Sequence, residues 1–165
     1  IMEDYKAGNF ASYERKNKLL YALTFYISAF ISVFFCFLAH PIIRILYGDA
    51  FLAAVSPLQI ITWYTAFSYL GVARNAWIVC ENRQKYLKWV YGSAAVSNVL
   101  LNLLLIPHFG ASGAAAASLI AQVITTMIAP AFIPGLRSNT KMMVDAIFLK
   151  GIFPLKKNKP NGKTK

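Results

Sequence analysis

The sequence predicts an all-α, polytopic transmembrane bundle of four spans. Composition is the first reason. Of 165 residues, 58% are hydrophobic and only 14% are charged, where a soluble domain carries about 25% charged residues. The second reason is arrangement: the apolar residues fall in uncharged runs. At 1.5 Å per residue such runs cross a hydrocarbon core of about 30 Å. The third is that Lys and Arg gather at the ends of these runs. The same composition excludes a disordered chain, which is poor in apolar residues.

Leu19 to Ala39 gives 21 residues without a charge. This is the first span, 19–39. His40-Pro41 closes it, because proline disfavours helix at the residue before it. Residues 40–51 follow as a short amphipathic connector with a turn signal at Gly48-Asp49. Pro57 suits the first turn of a helix, so the second span is 57–80, which takes Arg74 into the bilayer. Residues 81–88 form a polar loop. From Trp89 to Leu136 there are 48 residues with no formal charge, enough for two spans, 87–106 and 112–133. Pro107, His108 and Gly110 supply the break between them. Residues 1–18 are a polar cytoplasmic segment. Residues 134–165 are a basic tail, with an interfacial helix expected at 142–153 and disorder over the final residues.

The net charge is +11. Residues 1–18 hold four Lys and Arg, 40–54 one, 81–88 three, 107–111 none, and the chain after Pro134 eight. By the positive-inside rule both ends and the 81–88 loop are cytoplasmic. Nucleic-acid binding is not expected, since it requires a basic patch on a polar domain. Cys36 and Cys80 lie in or beside apolar runs without metal spacing, and act as small hydrophobes. No enzyme signature, catalytic residue, metal site or cofactor is expected. The chain opens Ile1-Met2-Glu3-Asp4, with neither initiator methionine nor signal peptide, and reads as a fragment of a longer protein.

Several segments carry a family likeness. Ile45-Leu46-Tyr47-Gly48-Asp49-Ala50-Phe51 is a turn after a span. Glu81 to Lys85 is a short polar loop with a Gln-Lys pair. Ile106 to Gln122, IPHFGASGAAAASLIAQ, joins two helices, and Lys6-Ala7-Gly8-Asn9 precedes the first span. In order and spacing these segments resemble the C-terminal part of Wzx-type polysaccharide-unit flippases, over about residues 6–150. That family lies in the multidrug/oligosaccharidyl-lipid/polysaccharide exporter superfamily. The resemblance implies the last four helices of a two-lobed exporter-type fold, completed by N-terminal transporter helices absent here. It implies alternating-access transfer of undecaprenyl-linked oligosaccharide units to the periplasmic leaflet of a bacterial inner membrane. Its partners would be that lipid-linked oligosaccharide and membrane lipids. A cation-coupled multidrug exporter, a lipid II flippase and a small membrane interaction protein are the alternatives.

The residues add candidates of their own. Gly113, Ala117 and Ala121 form a small-residue ridge, suited either to a sliding interface or to a static helix seam. Asn98 and Asn102 share one helical face with Tyr91. They either line a cavity that binds sugar hydroxyls or bond to Gln122 or Thr126 on the next span. Arg74 is the one formal charge clearly inside a span, away from its ends. It either meets a substrate pyrophosphate in the cavity or snorkels toward headgroups, with Glu81 on the same face. The candidate cavity set is therefore Arg74, Asn98, Asn102 and Gln122.

Overall fold

The computed structural model describes residues 2–150, and every element among them is helical. A short α1, Met2–Lys6, precedes α2, Phe10–Tyr47. A 3-10 turn, Asp49–Ala54, leads into α3, Val55–Cys80. Helix α4, Leu87–Val123, runs into a wide π turn, Ile124–Ile128, then α5, Ala129–Phe132, and finally α6, Arg137–Ile147. Three helical stretches are long and apolar enough to cross a membrane: Phe10–Tyr47, Asp49–Cys80 and Gln84–Phe132.

The first stretch is longer at both ends than the expected 19–39. It starts where the Asn9 side chain accepts from the Ser12 backbone N–H at 3.2 Å, an N-cap that satisfies one orphan donor. Residues 10–18 of the polar segment are thus part of the helix. At the other end the helix passes through Pro41 and stops at Gly48, whose φ is 81°. Proline removes a single donor, the one that would meet the Phe37 carbonyl. Ending the helix there would leave several carbonyls unpaired in an apolar setting, so continuing is the better solution.

The third stretch is not one rod. Gly110 takes φ 54° and ψ −130°, a conformation open to glycine alone. A Cβ on Gly113 would lie 2.3 Å from the Leu105 carbonyl oxygen, and Tyr91 and Thr125 line one cavity. In a straight helix those two residues would stand about 50 Å apart. The chain therefore doubles back at Gly110, within the expected break of Pro107, His108 and Gly110, and makes limbs of residues 87–109 and 111–132. Pro107 is carried inside the helix, as Pro41 is.

The last helix begins earlier than the expected 142–153. Its apolar face starts at Leu136 and continues through Met142, Met143 and Ala146, all buried at helical spacing. That face packs on the start of α2 together with Tyr21, Ala22, Trp77 and Val90. The part of the expected helix after residue 150, and the final basic residues, lie outside the described residues. The outer surface is apolar: Phe30 and Phe37 are 73% and 82% exposed, as suits contact with lipid or further helices.

Two ends are distinguishable. Ser112 donates to Ser56 at 3.4 Å, so the Gly110 bend sits beside the start of α3. The turn after α3 lies at the opposite end, where Arg83 donates to the Gly135 carbonyl and Tyr13 donates to Glu81 at 3.4 Å. Residues 1–18, 81–88 and 134–147 thus share one end, and residues 48–56 and 107–112 the other.

Candidate functional site

One stripe of α3 organises the interior. Leu70, Gly71, Arg74, Trp77 and Ile78 are buried at spacings of three and four residues. Gly71 lets the limb of residues 111–132 close onto α3. A Cβ there would come within 3.3 Å of Gln122 Nε2 and of Thr126 Oγ1. Gln122 donates to Thr126 Oγ1 at 3.1 Å and to the Phe67 carbonyl at 3.5 Å, and Thr126 donates to the same carbonyl at 3.3 Å.

Arg74 lies in the middle of this seam, 2% exposed. Its Nη1 donates to the Thr125 carbonyl at 2.6 Å, and its Nη2 to Asn75 Oδ1 at 3.3 Å. Asn75 in turn donates to Tyr91 Oη at 2.7 Å. One side chain therefore ties α3 to the π turn and, through Asn75, to the limb of residues 87–109. Snorkelling does not occur: the guanidinium points into the bundle. Glu81, expected to share its environment, instead pairs with Arg83 at 2.9 Å. No carboxylate pairs with Arg74 among the described residues.

In front of this seam lies a cavity of about 440 Å³. Tyr64 comes from α3, Tyr91 and Asn98 from residues 87–109, and Ser118, Gln122 and Thr125 from residues 111–132. Of the four expected cavity residues, Asn98 and Gln122 share this wall. Asn102 donates to Asn98 at 2.9 Å and borders a neighbouring apolar groove with Leu103, Ile106 and Pro107. Arg74 stands behind the wall, not in it. Asn102 bonds to Asn98 within its own helix rather than to Gln122 or Thr126, which are engaged with the Phe67 carbonyl. The wall offers neutral donors and acceptors on an aromatic and apolar background, a chemistry suited to hydroxyl-rich ligands.

Tyr64, Ser118 and Thr125 are the wall residues that sequence reasoning missed. Ser118 had a signal, since it precedes Gln122 by one helical turn. Tyr64 looked like any interfacial aromatic, and Thr125 had no signal at all.

The ridge of Gly113, Ala117 and Ala121 is buried throughout. Gly113 faces Leu105 across the bend, and Ala121 also borders the cavity. At the charged end, Lys18 pairs with Glu14 at 2.9 Å and Asp145 at 3.4 Å, holding α6 to α2. Lys16 bonds Asp4 at 2.6 Å. The hydrogen bond and charge of Lys16 hold the Asp4 carboxyl below the usual carboxylate range. This tie is present above about pH 4 and weakens as acid protonates the carboxylate. No group of three His, Cys, Asp or Glu gathers among the described residues.

No family model, curated protein or solved structure matches the chain.

Proposed function

We propose that this chain is four membrane crossings of a carrier that flips undecaprenyl-linked oligosaccharide units from the cytoplasmic to the periplasmic leaflet. The observation that carries the reading is the neutral polar cavity between α3 and the two limbs of residues 87–132. Tyr64, Tyr91, Asn98, Ser118 and Gln122 place hydroxyl and amide groups on an otherwise lipid-like bundle. A sugar chain needs many neutral hydrogen bonds and aromatic faces, and such groups persist in an apolar bundle only with partners. The order of the IPHFGASGAAAASLIAQ, ENRQK and ILYGDAF segments supports the same reading. In it, the limbs on either side of Gly110 are the third and fourth crossings, and the charged end is cytoplasmic.

Complementation of a flippase-null bacterium with the full-length protein tests the activity. Surface polysaccharide is expected to return, and lipid-linked units to fall in the inner leaflet. Normal membrane levels of the protein with no polysaccharide would reject the reading.

Topology has a separate test. Single cysteines at Asn82 and Ser112 lie at opposite ends of α3, which spans about 39 Å at 1.5 Å per residue. A membrane-impermeant thiol reagent applied to intact spheroplasts is expected to label Ser112→Cys and to spare Asn82→Cys until the cells are opened. Labelling of both from outside would overturn the orientation.

A further inference from the structure

The π turn and Pro130 together leave one backbone carbonyl without a backbone donor, and Arg74 occupies it. In an α-helix the Ala129 N–H would bond to the Thr125 carbonyl, four residues back. Here it bonds to Ile124 instead. In a π turn the Thr125 carbonyl would take its proton from residue 130, but residue 130 is proline and has no N–H. The Thr125 carbonyl is left with Arg74 Nη1, at 2.6 Å. In the alternative α register, Ala129 would satisfy Thr125, and the missing donor of Pro130 would orphan the Thr126 carbonyl. Each register leaves one orphan, and the two orphans are adjacent residues.

We propose that Ile124–Ile128 is a two-register hinge, and that Arg74 is the positioning residue that holds it in the wide register by capping Thr125. Removing the extra residue of a π turn rotates the helix on one side by about 100° relative to the other, and shifts it by about 1.5 Å. The register therefore decides whether Ser118, Gln122 and Thr125 face Tyr91 and Asn98 across the cavity. Arg74 acts on the cavity through the backbone, with no contact to what the cavity holds. The hinge geometry stands whatever the cavity carries, and only its consequence for transport rests on the flippase reading.

Proline supplies the test, because Pro130→Ala restores the missing N–H in either register. The full-length protein is reconstituted in nanodiscs, and amide exchange is followed by mass spectrometry in peptides covering residues 120–132. Arg74→Met fills similar space without a donor, and is expected to speed exchange there by about tenfold while α2 stays protected. Pro130→Ala added to Arg74→Met is expected to bring exchange back to within about twofold of the wild type.

An Arg74 that binds an anionic substrate predicts the reverse: Pro130→Ala would restore nothing, and Arg74→Met would leave exchange unchanged. Either result overturns the proposal. If Arg74→Met does not accumulate, accumulation becomes the readout, and failure of Pro130→Ala to restore it rejects the cap. Loss of complementation by the wild-type protein, with the exchange pattern intact, would reject the flippase reading and leave the hinge standing.

Discussion

Gly113→Ala is expected to destabilise the bundle by about 3 kcal/mol or more, the range of severe overpacking. The added Cβ would stand 2.3 Å from the Leu105 carbonyl oxygen, 2.7 Å from its carbon and 3.1 Å from the Ile106 nitrogen. All three are backbone atoms, so no side chain can turn aside. The two limbs of the Gly110 bend would have to part, and with them the wall that carries Ser118 and Gln122. For a domain of this size the loss corresponds to a fall in Tm of roughly 6–12 °C, read by thermal shift of the detergent-purified protein. Gly92→Ala is the control in the same helix. Nothing lies within 4 Å of a Cβ there, and alanine favours helix over glycine by about 1 kcal/mol, so its Tm should hold or rise. A Gly113→Ala protein that melts with the wild type would mean that the limbs do not meet at Leu105.

Trp77→Ala is the second large effect, expected to cost about 3–5 kcal/mol, as truncation of a fully buried aromatic does. Trp77 is 1% exposed and sits in the cluster where α2, α3 and α6 meet. The Arg83 guanidinium lies 5.5 Å from its ring centroid, and Arg83 also pairs with Glu81 and donates to the Gly135 carbonyl. Loss of the ring therefore removes core volume and unseats the arginine that fastens the chain leading into α6. Beyond the lower Tm, faster proteolysis at Lys141 is expected in open membranes. Trp77→Phe should be milder, because the indole N–H has no partner to lose among the described residues. If Trp77→Phe proved as damaging as Trp77→Ala, the ring's volume would not be the cause.

Much of the architecture was legible because it follows from one requirement, that long apolar runs satisfy their own backbone hydrogen bonds. The runs after Leu19, after Ala50 and after Trp89 all became helix for that reason. Where helices end was partly legible: Gly48 and Gly110 were both read as breaks, but Pro41 was given too much weight. Pro41 and Pro107 each remove one donor, a small loss beside the carbonyls that an early helix end would strand. Gly48 and Gly110 decide the breaks, since both take positive φ. The cavity was half legible. Asn98 and Gln122 were visible as polar groups on apolar helices, whereas the direction of Arg74 was not. Its orientation depends on a carbonyl freed 51 residues later, through a π turn that leaves no mark in hydrophobic periodicity.

The pairing of Tyr21 with Asn139, at 2.5 Å, bears on how the molecule is made. Both residues are fully buried, and they are 118 positions apart in sequence. At about 5–20 residues per second, a ribosome takes roughly 6–24 s to travel from one to the other. Throughout that interval α2 carries a buried-to-be phenol whose partner has not been synthesised. The surface that Leu136 and Met143 will cover stays open as well. The bundle therefore closes from its C-terminal end: the α2–α6 contact is complete only once α6 has been made and docks. A chain ending before Asn139 would leave Tyr21 without its partner and the surface under Leu136 and Met143 uncovered.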